Sequence, residues 1–413
     1  MALFTDRFLL QERHQVGLGC VPTHLPCRIG TGVRIGIIAE NYFPTLGGIQ
    51  EHIRHLRNYL LSAGVGVSLF TGSPATEAGA PYPADAERSV KRVGRAFRYS
   101  TGGTYTQATM SPTAALRLRR LLREEPCDLL NIHGPCDFGL PMLALAMGGP
   151  KVLTLHSCFH HALWRTIISP YYKWVFSRAT SVIAVSEAAR DAMQRYAKFD
   201  AEIVPNGVDC AYWAAGKPSP RYRVPNTRNI LFIARLESRN GPDLIIDAFA
   251  QVADVLPDVR LIMAGDGPQR AKYEARVPER LRARVNFIGA VYDERPDLLA
   301  SCDVMVIPAR AVGFSILVLE AFAAGLPIVA GPCFGVDRAG AHWSNVVLSQ
   351  ALEPQSLART LVQTLATDHS DRIAHGRAIA EQYDWSRVGP QILGVFERAI
   401  ATRSGGAATR KLG

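Results

Sequence analysis

Residues 307–331 read IPARAVGFSILVLEAFAAGLPIVAG. A short apolar run gives way to a loop, then to a stretch of helix length, then to a second apolar run. Strand, loop, helix, strand is the unit from which parallel sheets are built. The stretch carries a single carboxylate, Glu320, in the predicted helix. The plain structural reading of that acid is one favoured by the helix dipole near an amino end.

The same unit repeats on either side. Upstream lie RNILFIAR (228–235), the helical GPDLIIDAFAQVADVL, and the strand-like VRLIMAGDG, VNFIGAV and CDVMVIPA. An earlier series opens with VRIGIIAE (33–40) and a helix in 47–64 with Ile49, Ile53, Leu56 and Leu60 at helical spacing. It continues through VGVSLFTG (65–72), DLLNIHG (128–134), KVLTLHS (151–157) and SVIAVS (181–186). Between the two series, 209–229 holds three prolines and little periodicity, as a linker would. The expected fold is therefore α/β, with two Rossmann-like domains, 33–208 and 230–385. An extension precedes them (1–32), and a helix (386–403) and a flexible tail (404–413) follow. In open α/β sheets ligands bind beyond the carboxyl ends of the strands, so the cleft between the domains is the expected site.

Composition bounds the function. The 413 residues suffice for two or three domains, and hydrophobic residues at 48% can fill their cores. A formal charge of +10 favours acidic partners such as nucleotides or phospholipid headgroups. No motif or aromatic interleaving points to nucleic acid. The eight cysteines show neither CxxC pairs nor zinc spacing and read as reduced thiols of a cytosolic protein. The first residues lack the apolar core of a signal peptide, and no run is long enough to span a bilayer. A soluble or peripherally attached cytoplasmic protein is expected.

Gly47-Gly48 follows a strand and opens a helix. Glycine lets a backbone approach a ligand closely, and a helix amino end offers N–H groups to phosphate; a tight turn is the blander alternative. Taken together, IAVSEAARD, IVPNGVD, ARLESRNG, MAGDGPQ, VNFIGAV and GFSILVLEAFAAGLPIVA resemble, in that order, retaining glycosyltransferase family four, of GT-B fold. GGIQEH and YDWSRVGPQILGVFERA look most like its phosphatidylinositol mannosyltransferase branch, and the likeness runs over roughly 33–403. The resemblance implies an N-terminal acceptor domain, a C-terminal domain for a nucleoside-diphosphate sugar, and a last helix crossing back to the first domain. It implies catalytic roles for His156, Arg235 and Glu320. Arg235 would meet the diphosphate, since a guanidinium stays charged and matches phosphate geometry. Glu320 would accept bonds from the ribose, and the amides of Ile316 and Leu317, beside Ser315, would add phosphate contacts. Val291 would hold the base through main-chain groups, Gly47 and Gly48 would close on the donor, and Gln50 and His156 would face the acceptor.

Two positions depart from the family pattern. Asn240 stands where a phosphate-binding lysine is usual, and Val312 replaces a glutamate that grips the donor sugar. Each lost charged hydrogen bond costs roughly 1.5–3 kcal/mol unless something compensates. No metal or other cofactor is expected. No Asp-x-Asp occurs, and His156, His160 and His161 lack acidic or cysteine company at ligand spacing. Helix ends and basic side chains would stabilise the departing diphosphate. Arg117, Arg119, Arg120 and Arg123 alternate with leucines in a predicted helix, which reads either as a solvated face or, by the resemblance, as a surface for anionic membrane. The expected function is retaining transfer of a hexose to a hydroxyl acceptor, a lipid or a glycan. The alternative is a weakened or inactive relative that binds nucleotide or a partner through the same cleft. A dinucleotide-dependent oxidoreductase is disfavoured, because the only GTG (30–32) precedes the first strand.

Overall fold

The computed structural model describes residues 32–43, 47–73, 90–101, 104–134, 139–156, 165–310, 315–332 and 345–409. The first domain runs β1 (Arg34–Ala39), α1 (Gly48–Ser62), β2 (Gly66–Ser73), β3 (Val90–Arg95), β4 (Phe97–Thr101), β5 (Thr104–Ala108), α2 (Pro112–Glu124), β6 (Leu129–His133), α3 (Leu140–Leu145), β7 (Lys151–Leu155), α4 (Arg165–Ser177), β8 (Ser181–Ala184), α5 (Glu187–Gln194) and β9 (Glu202–Ile203). Its parallel sheet is ordered β3-β2-β1-β6-β7-β8-β9, while β4 and β5 form a separate antiparallel hairpin. The inner strands β1, β6, β7 and β8 are buried and mostly apolar because both faces are covered, whereas the edge strands β3 and β9 carry charged residues. Ile35 and Ile37 pack towards α1, and Ile38 packs towards α2, α3 and α4.

The second domain follows as α6 (Cys210–Ala214), β10 (Arg228–Ile233), α7 (Pro242–Val255), β11 (Val259–Ala264), α8 (Arg270–Arg276), β12 (Val285–Gly289), α9 (Arg295–Ala300), β13 (Val304–Ile307), α10 (Ile316–Ala324), β14 (Ile328–Ala330), β15 (Val347–Leu348), α11 (Pro354–Ala366) and α12 (Ser370–Gln382). Its sheet, also parallel, is ordered β12-β11-β10-β13-β14-β15. The chain reverses its winding between β1 and β6 and again between β10 and β13. Those two switch points are where an open α/β sheet leaves a crevice for ligand.

The last helix, α13 (Trp385–Thr409), returns to the first domain. Val388, Ile392, Val395 and Phe396 join Ile37, Val67 and Val152 in one core. A Cβ on Gly389 would stand 2.3 Å from Tyr59 Cζ, so only glycine lets α13 lie this close to α1. Three sequence expectations change. The stretch 209–229 is no loose linker: α6 lies within it, and Trp213 and Tyr222 are buried in the second core. The final helix continues through the expected tail to Thr409. The sequence pattern marks no strands at Phe97–Thr101 and Thr104–Ala108, where the structure has the β4–β5 hairpin. The expected extension, 1–32, lies outside the described residues except for Gly32.

Candidate active site

Two helix amino ends meet where the domains face each other. Gly48 is the first residue of α1, and a Cβ placed on it would lie 3.9 Å from Cδ1 of Ile316, the first residue of α10. A Cβ on Gly47 would press to 2.6 Å from Gln50 Oε1, so glycine leaves room for buried Gln50 to fold over the helix start. Ser315 precedes α10 without capping it by its side chain, so its hydroxyl is not spent on the first-turn N–H groups of Ile316 and Leu317. Free amides at such an end suit an anion.

Arg235 follows β10 on a braced turn. Asn240 Nδ2 donates to the Arg235 carbonyl at 2.7 Å, so the residue that replaces the usual lysine holds the turn from within. Buried Glu237 is shared between Arg235 at 3.6 Å and Arg239 at 3.3 Å. Arg239 is thus tied to Glu237, as is Arg235, whose side chain keeps 30% of its surface exposed. Gly265, at φ 137°, packs so closely that a Cβ would lie 1.9 Å from the Ala234 carbonyl oxygen, which keeps the ends of β10 and β11 together.

Glu320 has a partner that sequence reasoning missed. Arg295, at the start of α9, reaches Glu320 Oε2 at 3.4 Å and Glu51 Oε1, on α1, at 2.8 Å. All three are buried, and the Arg295 guanidinium lies over the Trp213 ring at 4.9 Å. Burial pushes the Glu320 carboxyl up to about 7, with Glu51 pushing the same way and Arg295 opposing. Arg54 adds an interdomain bond to Asp293 at 3.1 Å, and Phe43 meets Tyr292 edge-on. Nothing in the spacing of Arg295 announced this role. It could be inferred only once α9 was known to lie beside α10.

His156, just past β7, does not stand alone. Its Nε2 lies 2.8 Å from His133 Nδ1 at the end of β6, and His133 Nε2 lies 2.6 Å from Asn131 Oδ1. His52 of α1 packs edge-on to His156. Burial keeps all three imidazoles neutral at pH 7, with His156 lowered to about 4. His133 was findable, since NIHG ends a strand as LHS does; His52 was hidden in a helix. His160 and His161, once weighed with His156, lie outside the described residues, as does Val312. Val291 sits in the loop after β12 against the second core. The arginines of α2 are set apart from this crevice: α2 packs on the edge strand β3 with Arg117, Arg119, Arg120 and Arg123 exposed.

Two parallel-sheet domains facing across the carboxyl ends of their strands are the GT-B arrangement of glycosyltransferases. The fold matches sucrose-phosphate synthase from Thermosynechococcus elongatus at a TM-score of 0.70 and 19% identity, covering 90% of this chain and 100% of that one. It also matches Anabaena HepE in complex with UDP-glucose at 0.62 and 21%, covering 88% and 99%. Residues 46–212 match the Glycosyltransferase Family 4 model and residues 227–367 that of glycosyl transferases group 1. A phosphatidyl-myo-inositol mannosyltransferase of Mycobacterium tuberculosis is 30% identical over 375 residues, covering 88% of this chain and 97% of that protein. The chain belongs to glycosyltransferase family 4. Among the described residues no helix is long and apolar enough to cross a membrane.

Proposed function

We propose that the protein transfers a hexose, with retention of anomeric configuration, from a nucleoside-diphosphate sugar to a hydroxyl of a lipid acceptor at the cytoplasmic face of a membrane. The observation that carries this is the approach of Gly48 to Ile316, which brings the amino ends of α1 and α10 into one crevice. Negative charge that grows on the departing diphosphate is stabilised by preorganised N–H groups and by the Arg235 guanidinium. This role needs no metal at the diphosphate. Binding both substrates across the two domains supplies the positioning that such a reaction chiefly requires. The mannosyltransferase relative supports a mannose donor and an inositol lipid, and the HepE complex supports a UDP-hexose, so both donors belong in the test.

Purified protein is to be incubated with GDP-mannose or UDP-glucose and phosphatidylinositol vesicles, and the product linkage read by nuclear magnetic resonance. Transfer with an α-linked product supports the reading; no transfer from any hexose donor, or an inverted product, overturns it. Arg235→Ala should weaken nucleotide diphosphate binding about ten- to hundredfold by calorimetry, the loss of one or two charged hydrogen bonds. Equal affinity would remove Arg235 from the site. One observation favours the weaker alternative, a nucleotide-binding relative without transfer: in this conformation Arg295 already engages Glu320. Nucleotide binding without turnover would establish that reading.

A further inference from the structure

We propose that His52, His133 and His156 bind one divalent transition-metal ion of the zinc type, on the first-domain side of the crevice. One ring nitrogen from each residue lies within 4.8 Å of those of the other two, and these are the only three such side chains grouped among the described residues. Tetrahedral coordination with metal–nitrogen bonds of about 2.0–2.1 Å sets ligand nitrogens roughly 3.3 Å apart. The His133–His156 pair, now at 2.8 Å, has to open slightly, and His52 has to close in.

Three details beyond proximity point to a ligand. His133 Nε2–H donates to Asn131 Oδ1, which leaves Nδ1 as a lone pair turned to the cluster. Asn131 is itself fixed by bonds from its Nδ2 to the Val152 carbonyl and to Thr154 Oγ1. That is the outer-shell anchoring metal-bound histidines commonly have. His52 Nδ1 is buried without a hydrogen-bond partner, and the Asn206 side chain stands against His156. With a metal on His156 Nε2, the ring carries its proton on Nδ1 and donates it towards Asn206. A metal held by His52 Nδ1 would give that nitrogen the partner it lacks, and buried unpartnered polar atoms are uncommon in folded proteins. His156 is the partly exposed member of the three, so the fourth position opens on its side to water. Three neutral nitrogens with an open position suit zinc, cobalt or nickel better than magnesium, which prefers oxygen. The site is distinct from the diphosphate position, which the proposed reaction assigns to Arg235 and the helix ends.

The test uses the full chain without a histidine tag, stripped with chelator, titrated with Zn²⁺ in a calorimeter and with Co²⁺ in a spectrophotometer. One equivalent should bind, and Co²⁺ should give the visible absorption of a tetrahedral complex. His133→Gln and His52→Gln should each lower affinity at least a hundredfold. Asn131→Ala, which keeps every ligand, should lower it about tenfold and decides the matter if the histidine variants fail to fold. No stoichiometric uptake by the unaltered protein overturns the proposal. Uptake undiminished in all three variants overturns it as well, since the ion then sits elsewhere.

Discussion

At Asn240 the side chain points into its own turn. Its Nδ2 is committed to the Arg235 carbonyl, so it cannot take over a lysine's contact with phosphate. Its service is indirect: it fixes the backbone from which Arg235 projects, while Glu237 holds the guanidinium from the side. Removing a neutral hydrogen bond of this kind costs about 0.5–1.5 kcal/mol. Asn240→Ala should therefore raise the dissociation constant for a nucleoside diphosphate about two- to tenfold, with the melting temperature falling only slightly. Calorimetry that shows unchanged affinity would mean the turn holds its shape without this bond. Arg239, next to Asn240 in sequence, is paired with Glu237 as well, so one carboxylate orders both arginines.

At the scale of elements, α2 shows two faces. Ala114 and Leu118 are buried against the first domain, whereas Arg117, Arg119, Arg120 and Arg123 are exposed. Leu116 is 66% exposed among them, with Phe97 at 53% and Met110 at 44% nearby in sequence, so apolar groups accompany the charge. Basic residues that flank exposed apolar ones suit an anionic lipid surface. Arg120 is held by Glu124 at 2.7 Å, which leaves the other three better placed for headgroups. Replacing Arg117, Arg119 and Arg123 by serine should abolish co-sedimentation with phosphatidylglycerol vesicles at low salt, and higher salt should weaken binding by the native protein, because exposed charges are screened over about 10 Å at 0.1 M. Sedimentation indifferent to lipid charge, salt and substitution would leave α2 as a solvated face. The elements most legible in the sequence were those whose apolar pattern is imposed by burial on both faces, such as β1, β10 and the β13–α10–β14 unit around Glu320. The hairpin β4–β5 escaped because it lies outside both sheets and so carries no such pattern. Helix α6 escaped because the prolines that follow it masked five residues anchored by Trp213. Arg235 and His156 could be placed after strands, and Glu320 inside a helix, where it lies past the first turn of α10 and not at its start; the side chains that contact them could not be placed. Arg295, His133 and His52 come to the site from elements that meet only in three dimensions.

Across the whole molecule, the two domains are joined by more than the crossing of α13. Glu51 on α1 and Glu320 on α10 share Arg295, so a buried charge from one domain is neutralised by the other. Opening the crevice would break the buried cross-domain pair of Arg295 with Glu51, which makes the triad a clasp on the closed form. The clasp is also proton-linked. Burial raises the folded carboxyl of Glu320 from 4.5 to about 7. Between those values the unfolded chain has released the proton that the folded chain still holds, so stability falls as pH rises across this window and levels off above it. The stabilisation contributed by Glu320 is fully present below about 4.5 and is lost through about 7, with a ceiling of about 3 kcal/mol for a displacement of this size. Glu320→Gln cannot titrate and removes this dependence while leaving every other group in place. Urea unfolding of both proteins at pH 5, 6, 7 and 8 should show the native protein losing about 2–3 kcal/mol relative to the variant over that range. A constant difference across the series would mean that Glu320 is ionised throughout, held so by Arg295, and that the triad closes the domains as a permanent ion pair with no proton linkage.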